Sequence, residues 1–203
     1  MFFISIIILI ISYSIFKIFL DIHQIKYIRS SQITDEELES INLTQEYVKK
    51  SKAYNIEKLN MSVFNTLIKS TMIIIFLSFD GMSILMKITA LVNIFSFNIE
   101  IVNIILFIIF LTLIDLPTSY YKTFVIEKAH GFNRQSKSLF FKDFILSLIL
   151  SLIIFSILFL SFDALFNSYS NDWWFYIWLV FIAFNISIIY LFPILISPIF
   201  NNF

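Results

Sequence analysis

Glu127 and His130, three residues apart, are the pair in this chain whose types and spacing come closest to chemistry. On a helix, positions i and i+3 share a face, so a carboxylate and an imidazole there could hold a metal together. A carboxylate-bridged dimetal site needs two such pairs and further glutamates, whereas this chain has one pair and one other histidine, His23. Zinc-peptidase chemistry needs His-Glu-x-x-His, with two ligands one turn apart and a glutamate beside the metal-bound water, and that motif does not occur. Serine–histidine catalysis inside a membrane would need a histidine within an apolar run, and neither histidine lies in one. Cysteine is absent, which removes disulfides, iron–sulfur clusters and thiolate zinc sites together. Taken alone, the residues assemble no complete catalytic constellation, and Glu127-x-x-His130 reads as structural.

The elements that must position this pair are greasy. Mean hydropathy is +0.90, with 59% hydrophobic and 14% charged residues, so the bilayer must be the main solvent. The net charge of zero comes without any basic stripe interleaved with aromatics, which excludes nucleic acid as an expected partner. Glycine occurs only at 81 and 131, too sparsely for a phosphate-binding loop or a GxxxG packing face.

A membrane helix needs roughly 20 mostly apolar residues. Five segments qualify: Phe2 to Leu20, Val63 to Leu85, Ile99 to Leu116, Phe144 to Phe162 and Trp174 to Ile196. The fold class is therefore all-α and polytopic. The first segment lacks a basic leader and a small-x-small cleavage site, so an uncleaved span is expected. Pro117 is expected to stop the third span, because it cannot donate the next helical hydrogen bond. Lys69 and Asp80, eleven residues apart in the second, would share a helix face. Two readings of them stand: snorkelling to opposite interfaces, or a polar face toward a wet interior.

Residues 21 to 60 form the soluble-looking segment. Thr34-x-x-Glu37 has capping-box spacing, and Thr44 precedes a second run of helix formers that leads into the second span. Lysine and arginine crowd the loops before the second span and after the third, which places both in the cytosol, the amino terminus outside and the carboxy terminus inside. Trp173, Trp174, Tyr176 and Trp178 then fall at the outer interface, where aromatic belts form.

Two long motifs carry a resemblance. "LPTSYYKTFVIEKAHGFNRQSKSLFFKDF", from Leu116 to Phe144, is similar to the signature of the CAAX prenyl protease 1 (Ste24-like) membrane zinc metallopeptidases. There, a Leu-Pro and an aromatic pair precede Phe-x-x-Glu-x-x-His-Gly-Phe-Asn-Lys/Arg-Gln-Thr/Ser, followed by Phe-Phe-x-Asp. "FPILISPIFNNF", from Phe192 to Phe203, resembles that family's Tyr-Pro-x-x-Ile-x-Pro-Leu-Phe-Asn-Lys-Phe. Tyr54, Lys58 and the run "DWWFYIW" are weaker agreements, and the resemblance covers nearly the whole chain. Leu146, Ile199 and Asn202 depart from the family pattern.

The resemblance implies a membrane barrel of helices around a polar chamber, with residues 1–203 as its amino-terminal membrane part. In the family, HExxH and the third zinc ligand follow the stretch matched here. This chain is accordingly expected to be a fragment, split gene or truncated frame that binds no cofactor itself, zinc belonging to the complete enzyme. Pro117, Glu127, His130, Gly131, Phe132, Asn133, Asp143, Pro193, Pro198, Phe200 and Asn201 would be structural residues of the chamber, none of them catalytic or metal-binding. Implied partners are the lipid bilayer, a separate catalytic half and, for the complete enzyme, peptide substrates. The implied setting is a bacterial inner membrane, with quality control of membrane proteins as the task. The rival reading is a stand-alone membrane scaffold or transport-related protein without proteolysis.

Overall fold

Long apolar runs without a polar turn leave the backbone one way to satisfy its own hydrogen bonds in lipid, which is to stay helical. The computed structural model describes residues 2–32, 34, 38, 43–92, 99–169 and 171–200, without the side chains of 2, 92, 195, 196, 199 and 200. Among these there is no strand. The helices are α1 (Phe2–Ser30), α2 (Gln45–Ser78), α3 (Gly81–Val92), α4 (Ile99–Tyr121), α5 (Lys137–Ser168), α6 (Trp173–Leu191) and α7 (Ser197–Phe200). A π-helical segment, Lys122–Glu127, extends α4, and a second, Phe192–Ile196, joins α6 to α7. Five of these stretches are long and apolar enough to cross a membrane, at Phe3–Ser30, Gln45–Ser78, Ile99–Glu127, Lys137–Ser168 and Trp173–Ile194. Few of their large apolar side chains are buried, as suits helices whose surface faces lipid.

Element boundaries differ from the sequence expectation in instructive ways. The first helix continues through the polar residues after Leu20 to Ser30, whereas the second begins at Gln45 and runs unbroken into its span, as the helix formers after Thr44 lead one to expect. Thr44 caps it, its hydroxyl accepting from the Tyr47 amide at 3.3 Å. The Thr34–Glu37 capping box lies partly outside the described residues, since Glu37 is not among them. Pro117 does not stop its span: α4 runs on to Tyr121 and then winds into the π segment. Proline removes one backbone donor, but in an apolar layer leaving the helix would strand several more groups, so the helix persists and loosens nearby.

The pairing of Lys69 with Asp80 on one face is also overturned. Helix α2 ends at Ser78, and Asp80 sits in the turn beyond it at φ 55°, so the helical register does not reach it. That turn is tight. A Cβ on Gly81 would lie 2.5 Å from the Phe76 carbonyl oxygen, closer than any side chain tolerates, and only glycine fits.

The chain forms two compact units. The first comprises Met1–Ile88 and Ile109–Gln135. Helices α1 and α2 run antiparallel within it, since Lys17 meets Ser62 while the Ser31 carbonyl accepts from Lys52 Nζ. The second unit comprises Thr89–Ile108 and Ser136–Phe203. In it Thr89, fully buried, meets Asn103 Oδ1 at 2.6 Å, and α5 and α6 form a hairpin with rings packed about its turn.

Candidate functional site

Helix α2 presents Tyr54, Glu57, Met61, Asn65 and Lys69 at steps of three or four residues, which is one helix face. Within the first unit that face meets α4 and the π segment in antiparallel register. Lys69 Nζ donates to Asp115 Oδ2 at 2.5 Å. Four residues back along α2 and three forward along α4, the Thr118 hydroxyl lies 2.9 Å from Asn65 Oδ1. Farther on, His130 Nε2 meets Glu57 Oε2 at 2.9 Å, and Tyr54 packs against both the His130 and Phe132 rings. An ionised carboxylate can only accept, so Nε2 is the donor in this pair. The ladder ties polar groups on three adjoining stretches into an otherwise apolar layer.

A second polar knot joins α2 to α1. Lys17 Nζ donates to Asp21 Oδ1 at 2.6 Å, and the Ser62 hydroxyl donates to Asp21 Oδ2 at 2.8 Å. Asp21 is almost completely buried, at 3% exposure. Lys17 also lies 3.3 Å from the Ser62 oxygen, a distance at which a neutral lysine could serve as base to a serine nucleophile. Here Lys17 donates to that oxygen and the Ser62 hydroxyl donates to Asp21, so the arrangement is a closed knot between two helices and not a base facing a nucleophile.

The Glu127–His130 pair is not a joint site. Glu127 ends the π segment and faces Lys122 at 4.0 Å, while His130 turns to Glu57, far away in sequence. Gly131, at φ 79°, makes the turn that allows it, and the amides of Phe132 and Asn133 both reach back to the Glu127 carbonyl. The Asn133 side chain accepts from the Gln135 amide at 2.7 Å, fixing the exit of the turn. Pro117 lies inside α4, beside Thr118. Of the remaining expected residues, Asp143 is near the start of α5, Pro193 is in the second π segment and Pro198 is in α7, all in the second unit. Phe200 ends α7, and Asn201 lies outside the described residues.

The described residues do not fit zinc. No three of their His, Asp and Glu side chains converge, His130 already faces Glu57, and His23 stacks on Phe19 in α1. Sequence reasoning missed Glu57 as the partner of His130 and Ser62 as the partner of Asp21. Long-range pairing leaves no periodic signal, although Lys17 and Asp21 at i,i+4 in the first span offered a local one.

One orphan remains in the ladder: among the described residues no donor reaches the buried Asp115 Oδ1. Beside the ladder, between α2 and the α4–π stretch, lies an apolar cavity of about 790 Å³. Next to it is a smaller polar cleft of about 270 Å³, and the two share Met61 and Thr118 in their walls.

Comparison with known proteins follows this geometry. The family model described as CAAX prenyl protease N-terminal, five membrane helices, matches residues 24–202. A CAAX prenyl protease 1 homolog of Mus musculus is 27% identical over 196 residues, covering 93% of this chain and 41% of that protein. A homolog of the same description from Dictyostelium discoideum is 33% identical over 89 residues, 44% of this chain and 21% of its own length. The crystal structure of S. mikatae Ste24p superimposes with a TM-score of 0.85 at 25% identity, over 98% of this chain and 48% of that one. The chain thus spans less than half the length of each of these relatives.

Proposed function

The chain belongs to the CAAX prenyl protease N-terminal family, and from that premise we propose that it forms part of the wall of a membrane peptidase chamber. Hydrolysis would be performed by a zinc-bearing His-Glu-x-x-His part that residues 1–203 do not contain. The observation that carries this reading is the likeness to S. mikatae Ste24p over 98% of the chain, at a TM-score of 0.85. Two ordered motifs, Leu116–Phe144 and Phe192–Phe203, support it from the sequence side.

In this proposal the Glu57–His130 clasp and the Gly131 turn hold the end of α4 against α2, so that one chamber wall keeps its shape. Pro117, Glu127, Phe132 and Asn133 serve the same corner, and Asp143, Pro193, Pro198, Phe200 and Asn201 support the rest of the wall. Zinc is held by the other part of the enzyme, and the substrates are peptide segments admitted to the chamber. The proposed setting is a bacterial inner membrane with the amino terminus outside, which rests on loop charge and on the "DWWFYIW" run. Reporter fusions within residues 120–140 should report the cytosol; an outside signal there reverses the orientation.

Co-expression with a catalytic part carrying His-Glu-x-x-His is the decisive experiment. It should raise the steady-state level of this chain and yield peptidase activity that neither part shows alone. A chain that is abundant, monomeric and unaffected by that partner sinks the proposal and favours a stand-alone scaffold.

A further inference from the structure

The polar cleft beside the α2–α4 ladder has many donors and few free acceptors. Two lysines line it, Lys58 from α2 and Lys122 from the first turn of the π segment. Lys58 has no ion pair among the described residues and lies over the Tyr54 ring, 5.8 Å from its centroid. Among the described residues Lys122 pairs with Glu127 alone, at 4.0 Å, the outer limit of an ion pair. The Asn65 amide oxygen is taken by Thr118, which leaves its NH₂ group as a donor toward the cleft. Ser119 adds a hydroxyl that engages no other described residue, and Ser62 is committed to Asp21. A carboxylate does stand nearby: Glu57 borders the adjoining cavity, but His130 occupies its Oε2 oxygen. Cations and neutral donors facing one small space, without a matched carboxylate, are the complement of an oxyanion.

The neighbouring cavity has the opposite character. Phe64, Ile68, Val125 and Ile126 line it, and its volume of about 790 Å³ falls within the range of roughly 300–1,000 Å³ typical of ligand pockets. Because Met61 and Thr118 border both spaces, one molecule could occupy both. Lys58 and Lys122 also lie at the same end of two antiparallel spans, where a membrane places its headgroups. We infer that this double pocket binds an anionic phospholipid, with its phosphate among Lys58, Lys122, Asn65 and Ser119 and an acyl chain in the apolar cavity. The inference stands apart from the peptidase reading, since it needs neither zinc nor substrate.

The test uses the whole chain, reconstituted in phosphatidylcholine vesicles doped with phosphatidylglycerol, extracted in mild detergent and weighed by native mass spectrometry. Phosphatidylglycerol should stay bound in preference to phosphatidylcholine. The Lys58→Gln/Lys122→Gln variant should lose that retention by about tenfold or more, since each lysine near an anionic headgroup is worth roughly a factor of five. Lys49→Gln/Lys50→Gln removes two exposed charges from the same helix and should leave retention unchanged. Equal retention of both lipids by the unaltered chain overturns the inference, and this comparison needs no variant to fold. An equal loss in the Lys49/Lys50 variant also overturns it, by assigning the effect to overall charge. Displacement of the lipid by inorganic phosphate alone would show a free-anion site, and the lipid assignment would fall.

Discussion

The two compact units differ in the balance of means that hold their helices together. In the first, α1, α2 and α4 are joined by directional polar bonds: Asp21 to Lys17 and Ser62, Lys69 to Asp115, Asn65 to Thr118 and Glu57 to His130. In the second, Thr89 bonds Asn103 between α3 and α4, but the α5–α6 hairpin relies on rings across its turn, with Phe166 edge-on to Trp173 and Tyr169 stacked on Tyr176 at 4.2 Å. The hydrophobic effect does little to bring helices together within lipid, so both devices answer one need. They differ in what they specify. A hydrogen bond between spans fixes register and rotation, because a slip of one residue strands a charge. Stacked rings tolerate small slips. The first unit is therefore the one built to hold a defined geometry, and it contains the Glu57–His130 clasp.

This contrast can be broken most forcefully at Asp21. Replacing it with leucine leaves the Lys17 cation and the Ser62 hydroxyl without their shared acceptor. The expected loss is about 3 kcal/mol, read as a lowered midpoint in detergent unfolding. Combining Asp21→Leu with Lys17→Met and Ser62→Ala should recover most of it, because an apolar replacement strands nothing. A single variant as stable as the parent would mean that the knot is ornamental.

Lys69→Met comes next. It leaves Asp115 with neither oxygen partnered, and the expected loss is about 2 kcal/mol. The figure is smaller than at Asp21 because one group, Asp115, loses its partner there, where Asp21→Leu strands both Lys17 and Ser62. Partial rescue by Asp115→Asn in the same background would confirm that the charge is the cause. Gly131→Ala should cost about 1 kcal/mol, the strain of placing a Cβ at φ 79°. Nothing lies within 4 Å of that Cβ, so the cost is backbone strain alone. Asparagine at 131 should cost less than alanine, and the reverse order would point to an unseen contact. The smallest effect is expected in the second unit, where Tyr169→Leu removes one stacked ring for about 0.7 kcal/mol. A loss there as large as at Asp21 would erase the contrast between the units.

Much of the fold was legible because hydropathy reports the solvent directly. Five apolar runs gave five spans, and the Thr44 cap followed from local hydrogen-bonding chemistry. The boundaries were less legible. Pro117 is a stop signal in water, where released backbone groups find other partners, yet within lipid the helix continues through it. Lys69 and Asp80 looked like neighbours only while one helix was assumed to span both, and the Gly81 close approach ends that assumption. The clasp itself could not be read. His130 and Glu57 are 73 residues apart, and neither position carries a local pattern that names the other. The family resemblance marked His130 and Gly131 as a motif, but the contact explains what the motif holds.

The π segment after α4 carries a consequence for how this corner can change. A π turn is an α-helix with one residue too many, so Lys122–Glu127 behaves as an insertion stored inside the helix. Relaxing the segment to α geometry at unchanged length would release that residue as a further turn of about 100° about the helix axis and rotate everything after it. His130 would swing away from Glu57, although no residue of the clasp had been touched. The corner is thus phased like a gear by a single extra tooth. The clasp therefore depends on Lys122–Glu127 keeping its π geometry, a constraint set well away from Glu57 and His130.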